Sequence, residues 1–397
     1  MNQSNHINQK NHSSDNIPAL RFPEFGGEWE KKTLSHLAKI LYGKDQKQVI
    51  DENGKHPILG TGGIIGRTNQ FLYDKPSVLI GRKGTIDRPV YMDTPFWTVD
   101  TLFYTEVFAN TFPKWLYYKF QTINWYLYNE ASGVPSLSGS TIYKIKIKIP
   151  CIAEQSKIAI FLSAVENKLT QLKQKKSLLE QYKKGVMQKI FSQEIRFKDN
   201  NGKEFPEWEI KKLGEVAEIK GGKRVPKGYS LEEKNNGFPY ITVSDMENGT
   251  ISLSKIRYVP LSVVETIKNY KISTNDIYIS VAGTLGLVGI IPKDLENANL
   301  TENANKITNL KCDQQYLLQY LKTDRLMKLV ENVSTIGAQP KLAIYAINAF
   351  SVPLPSLLEQ TKIANFLFAF DVKIDHCNTQ IKKTEQWKRG LLQKMFC

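Results

Sequence analysis

Ile149-Pro150-Cys151-Ile152-Ala153-Glu154-Gln155-Ser156-Lys157-Ile158-Ala159-Ile160-Phe161-Leu162 returns as Leu354-Pro355-Ser356-Leu357-Leu358-Glu359-Gln360-Thr361-Lys362-Ile363-Ala364-Asn365-Phe366-Leu367. The match continues without a gap to Phe191 and Phe396, with 17 of 43 positions identical. It also has an opening counterpart, because Glu28-Trp29-Glu30-Lys31-Lys32 is echoed by Glu207-Trp208-Glu209-Ile210-Lys211-Lys212. Each unit thus opens alike, varies in its middle and closes alike, the mark of two copies of one fold in a pseudo-twofold repeat. Such a chain can read two sites on a symmetric or bipartite partner.

The closing segments predict long helices. Leu162, Val165, Leu169, Leu172, Lys176, Leu179, Lys183, Val186 and Ile190 follow steps of three and four, and Leu367, Phe370, Ile374, Cys377, Ile381, Thr384, Lys388, Leu391 and Met395 keep the same register. This is a coiled-coil seam, with Pro150 and Pro355 just before the helix starts. Leu162, Leu169, Leu172, Leu179, Leu367, Phe370, Ile374, Ile381 and Leu391 are the candidate residues for contact between the helices or with a partner subunit. The polar positions Lys176, Lys183, Thr384 and Lys388 weaken a purely apolar seam but can fix register. Independent amphipathic helices lying on their own domains are the plainer alternative.

The middles read as α/β (mixed α+β). Val78-Leu79-Ile80 and Ile277-Tyr278-Ile279 are strand-like, 115–122 and 315–321 helix-like, and neither middle alternates regularly enough for a doubly wound sheet. The expected divisions are a disordered tail at 1–16, a first globular domain at 17–150, a helix at 151–195, a second domain at 196–355 and a helix at 356–397.

A formal charge of +15 and a pI near 9.3, spread beyond the neutral first sixteen residues and not concentrated in a tail, favour a polyanionic partner through counterion release. Double-stranded DNA leads, ahead of an anionic membrane surface. No apolar run approaches the roughly 18 residues of a membrane helix, and no signal peptide is evident, so a cytoplasmic protein is expected. The four cysteines lack CxxC spacing and the five histidines form no metal-ligand pair. No metal site and no catalytic residue is assigned. The chain has no Pro-Pro pair for a methyltransferase tetrapeptide, no Walker sequence and no nucleophile elbow. Its glycine cluster Gly60-Thr61-Gly62-Gly63 misses the dinucleotide-binding spacing, and Glu218-Ile219-Lys220 is too short a nuclease signal in a Lys-rich chain.

DNA contacts have firmer candidates. Gly81-Arg82-Lys83-Gly84-Thr85 places two cations after a strand, with Arg88 nearby; its counterpart Ser280-Val281-Ala282-Gly283-Thr284 is uncharged. Two modules reading different bases should differ in this way, since Arg can bond guanine bidentately while hydroxyls reach other edges or phosphate. A solvated turn is the alternative for Arg82 and Lys83. Lys223, Arg224 and Lys227 lie in a second basic, glycine-bearing loop suited to clamping phosphate. Ser136 and the pair Gln339 and Lys341 occupy matched loops, and Ser244, Ser280 and Thr284 complete the candidate set.

With these residues in view, the chain resembles the DNA specificity subunit of type I restriction-modification enzymes over nearly its whole length. The resemblance rests on Pro239-Tyr240-Ile241-Thr242-Val243-Ser244-Asp245-Met246, on 275–286, on Gly337-Ala338-Gln339-Pro340-Lys341-Leu342, and on the doubled Pro-x-x-x-Glu-Gln signature. It implies two globular target recognition domains joined by two long antiparallel coiled-coil helices, each domain reading half of a bipartite DNA target. It further implies two docked adenine methyltransferase subunits carrying S-adenosylmethionine, none of it bound by this chain, and two motor-nuclease subunits completing a restriction complex. The first domain departs from the pattern, having Pro57-Ile58-Leu59-Gly60 where the second has Tyr240-Ile241-Thr242-Val243. A single-chain DNA methyltransferase or nuclease, and a coiled-coil scaffold, are the competing readings.

Overall fold

The computed structural model describes residues 16–334 and 341–397. The expected tail is therefore outside the described residues except for Asn16, whose carbonyl accepts from Trp29 N–H at 3.0 Å. Two long helices, Ile152–Phe191 and Leu357–Met395, run through two compact units. The first unit comprises residues up to 174 together with 379–397, and the second comprises 175–378. Each unit thus takes half of each long helix. No helix among the described residues is long and apolar enough to cross a membrane.

In the first unit a four-stranded sheet has the order Ala38–Tyr42, Leu102–Val107, Ser77–Gly81, Val90–Met92, all neighbours antiparallel. Val78, Leu79 and Ile80 are fully buried, as a continuous apolar run covered on both faces should be. A smaller sheet pairs His56–Gly60 antiparallel with Gly63–Thr68 and parallel with Trp97–Thr98. The second unit repeats the scheme: Glu218–Gly221, Ala304–Thr308, Ile277–Ser280 and Val288–Gly289 form the counterpart sheet, and Pro239–Ile241, in a second sheet that here also has four strands, again has a parallel neighbour, Ala298–Leu300. Both units close with a two-stranded ribbon, Glu30–Thr33 with Lys146–Ile149 and Glu209–Lys212 with Ser351–Leu354. The helices expected near 115–122 and 315–321 are Pro113–Thr122 and Gln314–Leu321.

The repeated Glu-Gln pair explains how each long helix begins. Glu154, 1% exposed, accepts from Arg21 Nε and Nη2 at 2.8 and 2.7 Å and from the Trp29 indole at 3.2 Å. Glu359, fully buried, accepts from Arg196 Nε and Nη2 at 3.3 and 3.0 Å and from Trp208 at 3.0 Å. Each arginine also donates to two carbonyls of the loop before its tryptophan. A carboxylate in the first helical turn further offsets the positive end of the helix dipole. Gln155 and Gln360 use Nε2 to hold the carbonyls of Pro150 and Pro355, and Oε1 to receive the N–H of Phe112 and Asp313. The signature is therefore a fastening between helix and domain.

The helices pack antiparallel within each unit. In the first, Leu162 and Val165 share a core with Leu391, Met395 and Phe396; in the second, Met187 and Ile190 share one with Ile363 and Leu367. Each such buried side chain is worth roughly 1.5–3 kcal/mol. Leu172 is buried as well, and Leu169, Leu179, Phe370, Ile374 and Ile381 are half-buried. The lysines within the seam have specific partners. Lys388 Nζ lies 2.7 Å from Glu166, whose other oxygen accepts from Tyr118 at 2.8 Å; Lys183 Nζ lies 2.6 Å from Asp371, whose other oxygen accepts from Gln319 at 2.7 Å. Lys183 matches Lys388 and Glu166 matches Asp371 in the repeat, so one pairing rule operates in both units.

Candidate nucleic-acid interface

Loops gather at one end of the sheet that contains Ser77–Gly81 in the first unit and of the sheet that contains Ile277–Ser280 in the second. In the first, the strand Ser77–Gly81 delivers Arg82, whose backbone N–H donates to Thr101 O at 2.8 Å and whose carbonyl accepts from Leu137 at 2.9 Å. Lys83 forms a bridge with Ser136, and Gly84 N–H donates to Pro135 O at 2.8 Å. The structure thus brings together Arg82, Lys83, Thr85 and Ser136. Lys83 and Arg88 are exposed, while Arg82, Thr85 and Ser136 are half-buried. The Arg82 guanidinium lies 5.6 Å from the centre of the Tyr42 ring and 3.5 Å from the Asp100 carboxylate, and it donates to Asp100 O at 3.1 Å.

In the second unit the loop after Glu218–Gly221 exposes Lys223, Arg224 and Lys227. Arg224 Nε donates to Glu302 Oε1 at 2.5 Å. This bond raises the guanidinium pKa; burial is the strongest single influence on the Glu302 carboxylate and pushes its pKa up, but the hydrogen bonds from Arg224, its own backbone and Thr301, together with the Arg224 charge, outweigh it and hold the pKa below the ordinary range. Lys223 Nζ is 5.8 Å above the Tyr270 ring. Thr284 and Lys341 are exposed, and Leu342 N–H donates to Val281 O at 3.0 Å, which ties Lys341 to the 281–284 loop. Ser244 is exposed on a turn joined to this end through Thr301 N–H and Ile241 O. Ser280 is fully buried, and its hydroxyl accepts from Leu287 N–H at 2.8 Å, so it fastens a turn and does not face solvent. Gln339 lies outside the described residues.

Tyr42, Lys44, Asp100, Tyr270 and Glu302 belong to these loop ends and were not singled out from sequence. One signal was available: Gly43-Lys44 matches Gly222-Lys223. A Cβ on Gly43 would come within 2.0 Å of Val99 O, and one on Gly222 within 2.1 Å of Thr301 O. In both units the lysine loop crosses its neighbour where only glycine fits.

Glu218 and Lys220 are exposed and paired with each other at 2.6 Å along one strand. Burial pushes the Cys312 thiol up to about 11, which disfavours thiolate. Among the described residues, no three or more His, Cys, Asp or Glu side chains gather to hold a metal.

Residues 26–181 and 206–386 each match the family described as "Type I restriction modification DNA specificity domain". The chain is 25% identical over 412 residues to the type I restriction enzyme MjaVIII specificity subunit of Methanocaldococcus jannaschii, covering 95% of this chain and 93% of that protein. It is 22% identical to the EcoDI specificity subunit of Escherichia coli, over 93% of this chain and 88% of the other. The crystal structure of the S subunit from M. genitalium superposes with a TM-score of 0.67 at 19% identity, covering 96% of this chain and 99% of that one.

Proposed function

The chain belongs to the type I restriction-modification DNA specificity family, and from that premise we propose that each unit reads one half of a bipartite DNA target through its loop end. As a specificity subunit it carries no catalytic centre of its own. The observation that carries this reading is the doubled reader end: the same loops converge in both units, are basic in both, and differ in the side chains they present. Basic loops supply phosphate attraction, and the differing side chains supply base discrimination. In this reading two methyltransferase subunits dock on the helical regions and bring S-adenosylmethionine, and motor-nuclease subunits add restriction. The helices set the unspecified spacer between half-sites, so inserting one heptad between Leu162 and Ile190 lengthens it.

The deciding experiment is the single-molecule methylome of the host with and without this gene. Loss of a bipartite adenine-methylated motif supports the proposal and gives both half-sites. No change in any methylated motif, with expression confirmed, overturns it in favour of a scaffold.

A further inference from the structure

In each unit one guanidinium is held against one carboxylate at the loop end, and the two pairs come from different loops. The backbone fixes the correspondence. Arg82 and Lys83 N–H donate to Thr101 O at 2.8 and 3.3 Å, while Val281 and Ala282 N–H donate to Asn303 O at 2.8 and 3.2 Å. Asp100 and Glu302 therefore occupy the same place, and so do Arg82 and Val281. Gly43 N–H donates to Leu102 O and Gly222 N–H to Ala304 O, which puts Asp45 in the place of Arg224. The arginine of one unit thus stands where the other has valine or aspartate, yet both guanidinium groups reach the equivalent acid.

A pairing retained while its loop of origin changes marks the location as the requirement. Fold stability does not supply the reason, because the Arg224 side chain is 77% exposed and exposed pairs contribute little. A hydrogen bond to the acidic residue, through the Asp100 main-chain carbonyl in one unit and the Glu302 carboxylate in the other, does fix the plane of a guanidinium before DNA arrives, reducing the ordering cost of binding. Among the described residues Arg82 bonds through Nη1 and Arg224 through Nε. The other guanidinium nitrogens are left to meet guanine O6 and N7.

We propose that Arg82 and Arg224 are counterpart guanine readers, one for each half-site, and that Asp100 and Glu302 are their positioning residues. This rests on the specificity-subunit reading. If deleting the gene removes no motif, that reading fails before these residues are tested. Once the motif is known, the complex with methyltransferase subunits is assayed on the cognate duplex and on duplexes substituted one base at a time. The readout is the ratio of methylation rates, which is insensitive to the fraction of a variant that folds. Arg82→Ala lowers the ratio about 5- to 150-fold at a guanine in one half-site, and Arg224→Ala does so in the other. Arg82→Lys and Arg224→Lys keep the charge without the fork and lose the same discrimination. Glu302→Gln leaves the preferred base unchanged with a ratio between wild type and alanine, and Asp100→Asn, which keeps the main-chain acceptor of Arg82, moves the ratio in the same direction by less. The proposal is overturned if both alanine variants affect one half-site, if the lysine variants retain full discrimination, so that the fork is not what reads the base, or if neither alanine variant changes any ratio, which would make the arginines phosphate clamps.

Discussion

At the start of the two long helices the copies agree residue for residue: Arg21, Glu154 and Trp29 in one, Arg196, Glu359 and Trp208 in the other. At the loop ends the backbone agrees while several side chains diverge, with Arg82 in the place of Val281 and Asp45 in the place of Arg224. Burial accounts for the difference. A carboxylate inside the protein must have all its partners, so few alternatives are tolerated. A solvated loop holds its path through backbone hydrogen bonds and leaves its side chains free to change.

The largest expected effect tests the agreement. Glu154→Ala and Glu359→Ala each leave a guanidinium and an indole without their acceptor and should cost roughly 3–5 kcal/mol in urea denaturation. Unequal costs in the two copies would break the equivalence.

A smaller effect sharpens it, because the frame contains one mismatch: Lys119 in the first unit stands where the second has Tyr320. Lys119 is 7% exposed, and burial lowers its pKa from 10.5 to about 8. Its folded pKa is depressed, so the associated stability is present in full above pH 10.5 and is lost as pH falls through about 8, a difference of roughly 3 kcal/mol. Burial raises the Tyr320 pKa, so its contribution has the opposite sign and is lost as pH rises. Comparing Lys119→Met with wild type across pH 7–11 by thermal denaturation isolates the lysine. A constant difference between the two curves would refute the assignment.

Next come the paired seam lysines. Double-mutant cycles on Lys183 with Asp371 and on Lys388 with Glu166 should return coupling energies of about 1–2 kcal/mol, alike in the two units. The smallest change in stability is expected at the loops. Lys83→Ala and Lys223→Ala should alter unfolding by less than about 0.5 kcal/mol, while each reduces the salt dependence of DNA binding by about one counterion.

The helices were legible because steps of three and four survive in both copies, and strands such as Ser77–Gly81 because apolar runs betray burial. The role of the Glu-Gln signature was not legible, since Glu154 meets Arg21 and Trp29 across 133 and 125 residues. Sequence similarity marked the pair without revealing what it fastens. Asp100 and Glu302 were hidden for a different reason: their neighbours share no letters, and the equivalence exists only in the hydrogen bonds around Thr101 and Asn303. Ser280 looked like a hydroxyl available to DNA because periodicity does not say on which residue a strand leaves the core.

The seam has one more consequence. Glu166 and Lys183 sit on the same helix, and in the intact chain each finds on the second helix the counterpart of the other. A gene fragment encoding only the first repeat would therefore specify a surface complementary to itself. Two identical half-chains could exchange Glu166 and Lys183 reciprocally and so build from one repeat a seam with exact twofold symmetry.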